Sequence, residues 1–158
     1  MKRCHRLFVI MLFALLSACG AGETNEQHFI KFKVLDHSQI SGFTFQKFFE
    51  IRTPQEFDDF WTIHSQPSNK PLPKIDFTQE MVLAVFYGQQ QTGGHDIYIH
   101  TIEELETELL VKVHPVEPKA GSIRTMMISQ PNMIISLPIN PKPVHFVIER
   151  QTDAKPLP

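Results

Sequence analysis

Apolar and polar positions divide the chain into short alternating runs with one clear exception. FIKFKVLDH (29–37) sets Phe29, Lys31 and Lys33 against Ile30, Phe32 and Val34, the period of two expected of a first strand. FTFQKFFEIR (43–52) is aromatic-rich and predicts a second strand. The exception follows. Thr53 can cap a helix, Pro54 suits its first turn, and Glu56 completes a capping box. Phe57, Phe60 and Trp61 then recur at i, i+3 and i+4, so a helix is expected to run to about Ser65 with one apolar face.

The second half reads as strands. MVLAVFY (81–87) is apolar on both faces and predicts a central strand covered on both sides. IYIHTIE (97–103) and ELLVKVHP (108–115) predict a hairpin turning at 104–107. IRTMMIS (123–129), NMIISLP (132–138) and PVHFVIER (143–150) predict further strands, divided by Pro131 and by Pro141–Pro143. The expected fold is α+β and mainly β: an antiparallel sheet, or a curled sandwich or open barrel, with one early helix. Met126, Met127 and Met133 are expected to fill core space.

The N-terminus changes the picture. Lys2, Arg3 and Arg6 precede the apolar run LFVIMLFALL (7–16), which is half the length a membrane-spanning helix needs. Leu16-Ser17-Ala18-Cys19 then resembles the lipobox of bacterial lipoproteins. The resemblance implies that residues 1–18 are a signal peptide and that Cys19 is acylated. Residues 19–27 would be the acylated cysteine and a flexible tether, 28–150 a single β-rich domain, and 151–158 a flexible tail. Localisation would be the cell envelope, lipid-anchored and extracytoplasmic, and the outer membrane where one exists, because Gly20 rather than aspartate follows Cys19. Cys4 and Cys19 are the two cysteines, so a processed chain would hold no free thiol and no disulfide.

Charge narrows the partners. Of 15 basic and 17 acidic residues, three basic ones fall in 1–19, leaving 12 against 17. That balance and the lack of a basic stripe argue against nucleic acid.

Chemistry-bearing patterns are few. Seven histidines follow Cys19, with no HxH, HxxxH or HExxH spacing, so no metal site is expected; His100 and His114 would be hairpin neighbours. No Gly-x-Ser-x-Gly occurs, and Ser129, His145 and Asp96 form a triad only on paper. Glu103–Glu108 is expected to be a solvated acidic turn. No catalytic residue and no cofactor is expected.

GQQQTGGHD (88–96) remains. Glycines between two antiparallel strands are first a backbone requirement. Gln89, Gln90, Gln91, Thr92, Gly93, Gly94, His95 and Asp96 are second a candidate partner-binding loop with an uncharged, hydrogen-bonding rim.

From Phe57 to Phe146 the order of these features resembles the C-terminal domain of the protease complex subunit PrcB family. The matching positions are Asp76, Phe77, Gly88, Thr92, Gly93, Gly94, Ile97, Ile99, Pro118, Gly121, Gln130, Pro131 and Pro138, with His95 where the family often has tyrosine. The resemblance implies a non-catalytic accessory module that binds a secreted or surface protease, or another envelope protein. Two alternatives stay open. Thr92-Gly93 resembles the Thr-Gly turn of chagasin-type inhibitors, which would make the Thr92–Gly94 loop a protease inhibitor. A pocket lined by Phe86, Tyr87 and Tyr98 would instead make the chain a small-molecule or glycan-binding lipoprotein.

Overall fold

A computed structural model describes residues 28–150. The expected signal peptide (1–18), the acylated Cys19 with its tether (19–27) and the flexible tail (151–158) lie outside the described residues. Among the described residues no helix is long and apolar enough to cross a membrane.

Among the described residues eight strands form two four-stranded sheets. In chain order they are β1 (His28–Phe29), β2 (Lys33–Ser38), β3 (Lys47–Ile51), β4 (Glu80–Phe86), β5 (Asp96–Glu104), β6 (Leu109–Val116), β7 (Asn132–Pro138) and β8 (Val144–Ile148). Among the described residues the single helix, α1 (Pro54–Ser65), sits between β3 and β4. One sheet has the order β1-β5-β6-β8 and the other β2-β7-β4-β3. They pack as an open sandwich with no closed barrel.

β4 explains the architecture. Its residues Met81 through Phe86 are all fully buried. Met81, Leu83 and Val85 point between the sheets, where they meet Ile97, Ile99, Leu109, Val111 and Val113 from the facing sheet. Val82, Ala84 and Phe86 point the other way and pack under Phe57, Phe60 and Trp61 of α1. A run without polar alternation is what a strand buried on both faces needs. The helix begins as its sequence predicts: Thr53 and Glu56 form a reciprocal capping box, with Pro54 in the first turn.

A bulge in β5 at His100 shifts its register between Ile99 and Thr101. The extra residue lets Ile97, Ile99 and Ile102 all face the core, although 99 to 102 breaks the period of two.

Four expectations are corrected. The first strand is not continuous: His28–Phe29 pairs with β5, and the chain then crosses to pair Lys33–Ser38 with β7 in the other sheet. The aromatic run 43–52 is a strand only from Lys47 to Ile51, because Phe43 turns into the cluster under the helix. The run 123–129 is no strand, and Met126 and Met127 fill no core; only Met133 does. Finally, β8 pairs with β6 in parallel, because β7 runs through the other sheet and delivers the chain to the end of the sandwich where β6 also begins.

Candidate functional site

The loop from Gly88 to Asp96 does not join neighbouring strands. β4 and β5 lie in different sheets, so this segment is a crossover at one end of the sandwich rather than a hairpin loop. Its path is fixed by contacts on both sides. Gly88 adopts φ +86°, and a side chain there would meet the backbone nitrogen of Gln46 at 2.8 Å. The Gln89 N–H donates to the Thr44 carbonyl at 2.8 Å. Gln90 exchanges both backbone bonds with Ser129, at 2.8 and 3.0 Å. The Gly93 N–H donates to the Thr125 carbonyl at 2.9 Å, and a side chain on Gly93 would strike the Thr125 hydroxyl. The glycine requirement read from the sequence is therefore real, but its reason is close backbone approach as well as positive φ.

The far end of the crossover is a joint between sheets. The Asp96 carboxylate lies 2.9 Å from His37 Nε2 and accepts from the Gln39 amide and from the Ile97 N–H at 2.8 Å. His95 stacks obliquely on Tyr87 with ring centroids 5.9 Å apart, and Thr92 Oγ1 lies 3.4 Å from its Nε2. Tyr87 donates to Glu117 at 3.1 Å. Burial raises the Tyr87 phenol above its ordinary pKa, and the Glu117 hydrogen bond and charge add to this, so the phenol stays protonated. Gln89, Gln91 and Gly94 are left exposed, whereas Gln90, Thr92, Gly93, His95 and Asp96 are half-buried.

The crossover thus ties down the segment after β6. Residues 121–128 are exposed throughout, and Ile123 (103 %), Met126 (90 %), Met127 (59 %) and Ile128 (56 %) turn large apolar surface to solvent. Phe45 is 82 % exposed on the other flank, one residue from the Thr44 carbonyl that holds Gln89. The result is an uncharged glutamine rim between two apolar shoulders.

The remaining expectations sort as follows. Ser129, His145 and Asp96 are not brought together: Ser129 is buried with its hydroxyl unpartnered, His145 lies 3.5 Å from Glu108, and Asp96 holds His37. His100 and His114 are neighbours, their rings stacked at 4.7 Å, and His114 lies 2.9 Å from Glu149. Among the described residues no three His, Cys, Asp or Glu side chains converge on one point. The acidic turn is less solvated than expected, because buried Glu103 pairs with Lys112 at 2.7 Å and Glu104 with Lys142 at 2.9 Å. Phe86 is sealed under the helix, while Tyr87 and Tyr98 pack on the inter-sheet core, so the three do not line one pocket. Two open clefts of about 340 Å³ lie elsewhere, one beside Phe29 and Ile139, the other beside Phe57 and Leu72.

Sequence reading missed one polar cluster. Ser41 Oγ lies 3.0 Å from His64 Nδ1, and His64 Nε2 lies 3.0 Å from Asp36, which also receives Lys70. The order Ser–His–Asp is that of a nucleophilic triad. Its setting differs: Ser41 and His64 are buried, and Ser41 Oγ also accepts the Phe43 N–H at 3.1 Å. Enclosed in this way, the chain of bonds clamps the β2–β3 connection onto the end of α1, with Gly42 N–H donating to the His64 carbonyl. The signal was available, since His64 continues the 57, 60, 61 stripe of the helix. Burial alone would raise the Asp36 carboxyl, but hydrogen bonds from His64, Lys70 and Ser38 and the Lys70 charge outweigh it and bring it to about 2.

Residues 81–138 match the family model described as PrcB C-terminal. The match begins at β4 and ends with β7, so it contains the crossover, the β5–β6 hairpin and the exposed run, but not α1 or β8. No curated protein and no solved structure matches the chain.

Proposed function

We propose that this chain, whose residues 81–138 match the PrcB C-terminal family model, is a non-catalytic, protein-binding accessory module, held to the cell envelope through an acylated Cys19 and serving a secreted or surface protease complex. The observation that carries the reading is the loop end of the sandwich. There Gln89, Gln91 and Gly94 form an uncharged rim between the exposed Phe45 and the exposed run Ile123–Ile128. Exposed apolar surface rimmed by hydrogen-bonding groups is the chemistry of a protein contact. Anchoring would raise the local concentration of such a module, so modest affinity would suffice.

The test is photocrosslinking in native membranes from a reactive residue at Gln91, with a control at Thr107 in the turn at the other end of β5. Both positions are exposed. A protease or protease-complex protein captured from Gln91 and not from Thr107 is expected. Equal capture from both positions, or none, overturns the reading. Protease inhibition is the second reading, supported by the exposed Gly94 at the loop tip. It requires that the protein slow its protease and that Gly94→Arg abolish this while the domain stays folded, at a stability cost of about 1 kcal/mol or more from the positive φ at Gly94.

A further inference from the structure

The run Ile123–Ile128 has the composition of a strand and no strand to pair with. It passes without turn or bend, and Asn69 is the one described non-glycine residue with positive φ. One edge of the run is occupied. The Thr125 carbonyl accepts from Gly93, and Ser129 exchanges both bonds with Gln90. Backbone groups two residues apart along an extended chain face the same side. Thr125, Met127 and Ser129 therefore face the crossover, and Arg124, Met126 and Ile128 face outward. Among the described residues no backbone N–H from Ile123 to Ile128 donates a hydrogen bond, those of Arg124, Met126 and Ile128 on the outward edge included.

We propose that Arg124–Ile128 is an open edge that receives an added strand from a partner protein. This rests on the protein-binding reading and names the form the partner takes: an extended apolar segment flanked by acidic residues. Charge selects the flanks, because residues 118–130 carry Lys119 and Arg124 and no Asp or Glu. Size selects a strand over a second copy of the chain. A stable dimer needs roughly 20–30 residues a side, far more than this run, whereas strand addition draws its affinity from main-chain bonds along one edge. The run lies at the end of the sandwich away from the residues before His28. His28 pairs with Glu104, and the crossover enters β5 at Asp96, about 26 Å away along the strand.

The experiment is hydrogen exchange on the full chain in phosphatidylcholine nanodiscs, with and without a short synthetic peptide of alternating valine and threonine flanked by glutamates. Saturable slowing of exchange at 124–128, with none at Thr107, is expected. Met126→Pro removes an outward N–H while sparing the Gln90–Ser129 and Gly93–Thr125 bonds, and should weaken peptide binding at least about tenfold. Met126→Ala keeps the N–H and should weaken it far less. Equal losses would make the site a side-chain patch and overturn strand addition. Should Met126→Pro loosen β4, Arg124→Glu carries the test: it must favour lysine-flanked over glutamate-flanked peptide. Protection of 124–128 by the nanodisc alone would assign the run to lipid and overturn the proposal. Concentration-dependent dimerisation lost in Met126→Pro would assign it to a second copy and do the same. Absence of peptide binding with the Gln91 crosslink intact removes strand addition alone; loss of both removes the protein-binding reading as well.

Discussion

Two apolar runs of similar composition have opposite fates. Met81–Phe86 is buried to the last atom, while Ile123–Ile128 is exposed along its length. Both have strand propensity. What separates them is supply. The first run lies between β3 and β7 and has a layer on each face, α1 on one and the second sheet on the other. Among the described residues the second run has partial pairing on one edge and no strand or helix packed over either face. Hydrophobic pattern records what a segment would do if given neighbours, and the rest of the chain decides whether it is given them.

The difference can be measured in order of size. Leu83→Ala opens a cavity between the sheets and should cost about 2–5 kcal/mol, read as a fall in the denaturant midpoint. Met127→Ala, the same kind of truncation in the other run, should change stability by less than about 0.5 kcal/mol. Similar losses from the two would mean that the exposed run is packed in solution. Next comes the clamp beside the buried run. Asp36→Asn should cost about 1–3 kcal/mol, because it removes the charged partner of Lys70 and weakens that of buried His64.

The same carboxylate gives a pH signature. Its pKa is about 2 in the folded chain against an ordinary 3.8, so folding favours the ionised form. That contribution is complete above about pH 4 and is lost as pH falls through about 2. The Asp36 side chain is 17 % exposed, and with partial solvent screening the contribution is about 1–2 kcal/mol. Asp36→Asn should flatten this part of the acid-denaturation profile and lower it between pH 5 and 8 without changing its slope there. The smallest contrast sets two glycines side by side. Gly88→Ala combines positive φ with a backbone clash, whereas Gly121→Ala has positive φ and open space around it. Thermal melts should show the first losing about 2–3 kcal/mol and the second about 1 kcal/mol.

Much of the fold was legible in the sequence where pattern and surroundings agree. The capping box, the 57-60-61 stripe, the two-faced β4 and the β5–β6 hairpin all follow from local chemistry. Sheet assignment did not follow. Nothing in FIKFKVLDH marks the point between Phe29 and Lys33 where the chain leaves one sheet for the other, because both halves alternate in the same way. Nor could the glycines of the crossover reveal that β4 and β5 lie in different layers, since a tight crossover and a hairpin require the same residues. Within the candidate site, Gly88 and Gly93 were identifiable as backbone requirements. The role of Asp96 was not, because its partners His37 and Gln39 are nearly sixty residues away. The burial of His64 is legible in the sequence, because it is the next member of the helical stripe formed by Phe57, Phe60 and Trp61, but its partners Asp36 and Ser41 lie more than twenty residues away.

The strand directions carry a mechanical consequence. Residue His28 leaves the sandwich at the end opposite the crossover, and β2 starts at that same end, pairing with β7 from Lys33 to Ser38. Tension applied before His28, and resisted at the loop end, therefore pulls β2 along its own axis. Its bonds to β7 are loaded together in shear instead of being peeled off one after another. Were the chain attached before His28 and held at the loop end, this arrangement would transmit force without unravelling from its N-terminal side.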